Sequence, residues 1–68
     1  MSEGEYRVGI SFNPGGNSNV HNIKSMAAAL IDYIIEHGKD PRCTALACTE
    51  IETAAMYGVK SVTKPPRD

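Results

Sequence analysis

Gly38-Lys39-Asp40-Pro41 is the stretch that decides the fold of this chain. A glycine after His37 is a natural stop for a helix, taking the left-handed conformation that ends one. Asp40 before Pro41 is the signature of a new helix: a capping side chain, then a first-turn residue whose missing N–H costs nothing. Working outward from this turn, Val20, Ile23, Ala27, Leu30 and Ile34 recur at steps of three and four and predict a helix over 18–37 with a buried stripe. Ser18 and Asn19 are the candidate caps. On the other side a helix over 41–63 is expected, ended by Pro65-Pro66, with Leu46, Ile51, Met56, Val59 and Val62 as its bulk. Each helix spans about 30 Å or slightly more, and so short a connection makes them antiparallel.

The apolar surface exceeds what one hairpin can cover. A second line on the first helix runs Lys24, Ala28, Ile31, Ile35, and the small residues Ala45, Ala47, Ala54, Ala55 and Gly58 spread over more than one side of the second. Ile31, Ile35, Met56 and Val59 are left for another copy of the chain. A chain of 68 residues buries only about 60% of its unfolded surface, so help is needed from outside a single core. Cys43 and Cys48 cannot give it: within one helix they lie roughly 140° apart, and no Cys/His ligand spacing is present. Association is the help that remains.

Upstream of the first helix, Tyr6, Val8, Ile10 and Phe12 alternate with Arg7, Gly9 and Ser11. Period two predicts an extended arm with one buried face. The expected organisation is a mainly α, two-helix hairpin: residues 1–5 a flexible leader, 6–17 an extended arm and loop, 18–37 and 41–63 helices, and 64–68 a tail. Phe12-Asn13-Pro14-Gly15-Gly16-Asn17 joins arm to helix, with proline setting φ and the glycines accepting positive φ.

Charge and composition exclude several classes. A net charge of −1 with mixed signs lacks the basic footprint of a duplex-binding protein. No apolar run approaches the roughly 18 residues of a membrane span, and Met1–Glu5 is not a signal peptide. Two unpaired cysteines fit a reducing compartment. Neither a metal nor a cofactor is implied.

Two readings stand for the loop that opens the first helix. It is a turn and cap, or it is an anion site built from amides at a helix N-terminus. It matches neither Gly-x4-Gly-Lys-Ser/Thr nor Gly-x-Gly-x-x-Gly. Lys24 likewise has two readings: an edge residue whose stem covers apolar surface, or a phosphate contact at a subunit junction. Phe12 and Tyr6 are packing residues or base-stacking platforms. Asp32, Glu36, Glu50 and Glu52 read as a solvated face, and no catalytic set converges. Cys43 and Cys48 read as small buried hydrophobes, and Arg42 as surface. Lys60, Lys64 and Arg67 suit a helix C-terminus, with an anion site on an oligomer axis as the sharper reading.

Two segments carry a family resemblance. Phe12–Asn17 followed by Val20, Ile23-Lys24 and Ala28-Ala29-Leu30-Ile31-Asp32, together with Ala45–Lys60, resemble the phage anti-CBASS sponge family, whose helical hairpin is related to that of the phage anti-Thoeris sponge. The resemblance spans about residues 8 to 64. It implies a hexamer that sequesters cyclic oligonucleotide signals of bacterial immunity in the host cytoplasm without cleaving them. Cyclic dinucleotides such as 3′,3′-cGAMP would lie in pockets shared between protomers, and cyclic trinucleotides in separate pockets near threefold axes. In that family an aromatic residue and a lysine contact the dinucleotide, which implies Phe12 (or Tyr6) and Lys24 here, and Arg67 for the trinucleotide. Asn13, Pro14, Gly15 and Gly16 complete the expected ligand-binding set. The alternatives are a small cyclic-nucleotide phosphodiesterase, or a hairpin assembly module for a protein or nucleic-acid partner.

Overall fold

A computed structural model describes residues 1–67 and contains three helices: α1 (Glu3–Val8), α2 (Ser18–His37) and α3 (Pro41–Thr63). α2 and α3 form an antiparallel hairpin, and α1 docks on α2. The hairpin turn is capped as its residues dictate: Asp40 accepts from the backbone N–H of Arg42 and Cys43, with Pro41 at the first helical position. Those bonds, chiefly the one from Cys43, hold the Asp40 carboxyl below the ordinary aspartate range.

Gly38 differs from expectation. Its φ of −66° is not left-handed. Glycine is needed for space instead: a Cβ here would collide with Thr44 Oγ1 and lie 2.6 Å from the Ile34 carbonyl oxygen. The cap of α2 also shifts by one residue. Asn17 holds it, accepting from Asn19 N–H at 2.8 Å and Val20 N–H at 3.2 Å.

The N-terminal segment is the main correction. Residues 1–5 are no flexible leader and 6–12 no extended arm, for α1 occupies 3–8. Ser2 and Glu5 form a reciprocal capping box, Ser2 Oγ accepting from Glu5 N–H and Glu5 Oε1 from Ser2 N–H. At the other end Gly9, at φ +66°, closes a Schellman motif in which Gly9 N–H reaches Tyr6 O and Ile10 N–H reaches Glu5 O. Local caps at both ends outweigh the period-two pattern. Docking adds a third anchor, because Gly4 N–H donates to Asp32 Oδ1 at 2.7 Å and Gly4 lies against the Ala28 backbone. Asp32, expected on a solvated face, thus serves as a cap for a neighbouring helix.

The buried face of α2 draws on both lines: Val20 from the first and Lys24, Ala28 and Ile31 from the second are buried, whereas Leu30 of the first and Ile35 of the second are half exposed. Ile31, expected on a face left for another copy, is fully enclosed within this chain. Cys48 and Ala55 complete the core from α3, while Cys43 is exposed rather than buried.

The molecule measures 45 × 26 × 12 Å. The short α1 covers part of the hairpin, touching α2 broadly and α3 less, and leaves the rest of the hairpin surface open. The molecule's surface shows the result: 5113 Å² is accessible for a 7.3 kDa chain, against about 4,200 Å² for a typical monomer of that mass. Met26, Leu30 and Tyr33 on α2 and Leu46, Met56 and Tyr57 on α3 are among the side chains left in solvent.

Candidate ligand-binding site

The antiparallel turn brings the first turn of α2 beside the last turns of α3, and α1 with its following loop closes that end. Lys24 sits at the centre. It is 7% exposed, and its Nζ donates to the carbonyl oxygens of Gly9, at 2.9 Å, and Phe12. The lysine thereby orders residues 9–12, the turn that leaves α1. The same ammonium lies 5.5 Å from the centroid of the Phe12 ring, within cation–π range. The ring itself is 73% exposed.

Among the described residues no carboxylate forms an ion pair with Lys24. Two carbonyl dipoles solvate the charge without cancelling it. An ammonium has three donors, and two are spent on the loop. What remains is one N–H and a nearly whole positive charge, held in place beside an exposed aromatic face.

Two clefts meet at this point. The first, of about 390 Å³, is lined by Tyr6, Arg7, Val8 and Gly9 from the α1 side and by Glu52, Ala55 and Met56 from α3. The second, of about 470 Å³, is lined by Asn13, Pro14, Gly15, Asn17 and Val20 and by Val62 and Thr63. Phe12, Lys24 and Val59 belong to both. Each volume falls in the range of small-molecule sites, about 300–1,000 Å³.

Five of the expected site residues converge here: Phe12, Asn13, Pro14, Gly15 and Lys24. Gly16 and Arg67 line neither cleft; Arg67 is exposed beyond the end of α3. The loop amides are largely committed. Asn13 accepts from Asn17 N–H and donates to Asn17 O, and Gly16 N–H, at a glycine with φ +61°, bonds Asn13 O. With Asn17 holding Asn19 and Val20 N–H, the stretch 13–20 is a closed turn and cap. The cation comes from Lys24, not from the helix N-terminus.

Arg7, Glu52, Val59, Val62 and Thr63 escaped sequence reasoning as site residues. Val59, Val62 and Thr63 were accessible to it, since a short turn at 38–40 fixes which end of α3 faces the start of α2. Arg7 and Glu52 were not, because their approach depends on α1 being a helix. Arg7 Nε donates to Glu52 Oε1 at 3.2 Å and lies 3.8 Å from Glu3 Oε2.

Fold and cleft together define a class: small helical-hairpin proteins whose N-terminal segment folds back to build a cleft around a buried cation. Comparison with known proteins narrows it. The Acb2/Tad1 hairpin domain matches residues 4–63, nearly the whole chain, and the chain belongs to that family. It is the anti-CBASS and anti-Thoeris sponge family, non-catalytic proteins that bind signalling molecules. No curated protein and no solved structure matches the chain. Among the described residues no helix is long and apolar enough to cross a membrane.

Proposed function

We propose that this protein sequesters cyclic oligonucleotide second messengers, cyclic dinucleotides such as 3′,3′-cGAMP in the first place and cyclic trinucleotides as a second class. It holds them without cleaving them, in the cytoplasm of an infected bacterium, and so keeps CBASS effectors from being activated. One observation carries this reading: a buried lysine with no acidic partner among the described residues stands beside an exposed phenylalanine where two clefts join. A cyclic dinucleotide has a compact anionic ring and two flat bases. Lys24 offers charge to the ring, Phe12 a stacking surface, and the two clefts separate lodgings for the bases.

The functional unit is a homo-oligomer, with a hexamer as the expected state and pockets completed by a second protomer. Roughly 900 Å² of surplus surface supports association, being close to the 800 Å² or so that each partner contributes to a standard interface. A sponge must outcompete effectors, which calls for a Kd on the order of nanomolar, or about −12 kcal/mol.

The test is titration calorimetry with 3′,3′-cGAMP, followed by heating the complex and analysing the released nucleotide. Tight binding with quantitative recovery of intact cyclic nucleotide is expected. Linear products would establish a phosphodiesterase instead, and absence of heat with any cyclic di- or trinucleotide would refute sequestration.

A further inference from the structure

The Arg7–Glu52 pair has capacity beyond its single bond. It stands on the wall of the first cleft, part-buried, with Arg7 Nε on Glu52 Oε1. Among the described residues, neither the Nη atoms of Arg7 nor Oε2 of Glu52 makes a hydrogen bond. Both side chains line the cleft, and between them they keep the Nη donors and one carboxylate oxygen uncommitted to the protein. Phe12 and Lys24 border the same cleft.

We infer that this pair reads the base of the bound nucleotide and selects guanine over adenine. The inference rests on the sequestration reading of the cleft. Guanine carries its acceptors, N7 and O6, next to its donors, N1–H and N2–H2. An arginine fork matches the first two, as it does in the commonest base-specific contact of nucleic-acid recognition. A carboxylate matches the second two, accepting one hydrogen on each oxygen. Because O6 lies between N7 and N1, an arginine and a carboxylate must be neighbours to address both edges, and here they are bonded to each other. Adenine is mismatched at both contacts: its N6–H2 faces the arginine and its N1 lone pair faces the carboxylate. Serving as a latch between α1 and α3 accounts for the bond between the two side chains; their remaining donors and acceptor stay accessible to a ligand, since both side chains are partly exposed.

The experiment compares cyclic di-guanylate with cyclic di-adenylate by calorimetry on the full chain. Wild-type protein should prefer the guanine ligand by about tenfold or more, the range of one bidentate base contact. Glu52→Gln should remove or reverse that preference, since a glutamine amide pairs with N6–H2 and N1 of adenine. Glu52→Asp should retain it, and Arg7→Met should lower guanine-ligand affinity more than adenine-ligand affinity. Thermal unfolding of each variant reports whether the helices remain docked, and the ratio of the two affinities does not depend on a shared loss of fold. Equal losses for both ligands would show the pair acting through the fold or a phosphate and would overturn base reading. So would wild-type protein that binds both ligands equally, although sequestration itself would stand. Binding of neither ligand would end base reading, while the 3′,3′-cGAMP titration decides sequestration separately.

Discussion

Replacing Gly4 by alanine should release α1 from the hairpin while leaving the hairpin folded. Gly4 is buried where α1 crosses α2, and an added Cβ would fall well inside van der Waals contact distance of the Ala28 carbonyl oxygen. It would also lie 2.7 Å from Asp32 Oδ1 and 2.9 Å from the Ala28 carbonyl carbon. The aspartate can rotate away, but the α2 backbone cannot. Overpacking of this kind costs about 1–3 kcal/mol. Displacing α1 also breaks the Gly4 N–H bond to the Asp32 carboxylate, worth about 1.5–3 kcal/mol for a charged acceptor. Alanine returns about 0.5–1 kcal/mol through lower chain entropy. The strain of staying docked and the bond lost on undocking are of similar size, about 1–3 kcal/mol each, so the balance shifts toward an undocked α1. Native-state hydrogen exchange is the assay. In the variant the amides of Tyr6, Gly9 and Ile10, which are bonded within this segment, should lose protection. Those in the middle of α2 and α3 should keep it, and cyclic dinucleotide affinity should fall as Phe12 loses its anchor. Unchanged protection at all three amides would mean that α1 does not approach α2 as closely as described.

Lys24→Met keeps the stem and removes the cation. It should destabilise the 9–12 turn, raise exchange at Phe12 N–H and abolish nucleotide binding; retained affinity by calorimetry would take Lys24 out of the site. Gly38→Ala should lower the melting temperature, by about 4–8 °C for each kcal/mol in a chain of this size, because the new methyl meets the Ile34 carbonyl and Thr44; calorimetric scanning would detect it. Asp40→Asn tests the hairpin cap. The folded-state Asp40 carboxyl is depressed, so its contribution is present above the unfolded value near 3.9 and is lost as pH falls through the lower folded value. Asparagine caps almost as well, so the variant should match wild type at neutral pH in thermal melts and lose less stability between about pH 5 and pH 2. Identical acid profiles would show that the cap bonds to Asp40 are not coupled to its ionisation.

The hairpin was legible because its signals are local. Gly38, Asp40 and Pro41 mark the turn, and periodic apolar residues on both sides need no distant partner to be recognised. Even so, the buried face of α2 takes Val20 from one apolar line and Lys24, Ala28 and Ile31 from the other, and placing it requires knowing that a third helix packs there. That helix was hidden by its own alternation of Tyr6, Val8, Ile10 and Phe12. Its true signal was Ser2-x-x-Glu5, a capping box just ahead of the alternating residues, reinforced by Gly9 as the stop. Lys24 was visible as an anomaly on an apolar line, but its acceptors are backbone oxygens 12 and 15 residues away. Backbone acceptors carry no side-chain signature. For the same reason Asn13 and Asn17 could be recognised as loop residues without it being evident that they spend their amides on each other.

The way α1 is held has a consequence for the order of assembly. The hairpin closes through neighbours across a short turn, whereas α1 is fastened by Gly4 to Asp32, 28 residues on, and by Gly9 to Lys24, 15 residues on. Long-range closures of this kind come after local ones. Both anchor points lie on α2, so they exist only once α2 is a helix. During synthesis, therefore, α1 emerges before the hairpin yet settles after it, and the cleft is completed by a segment that waits for its template.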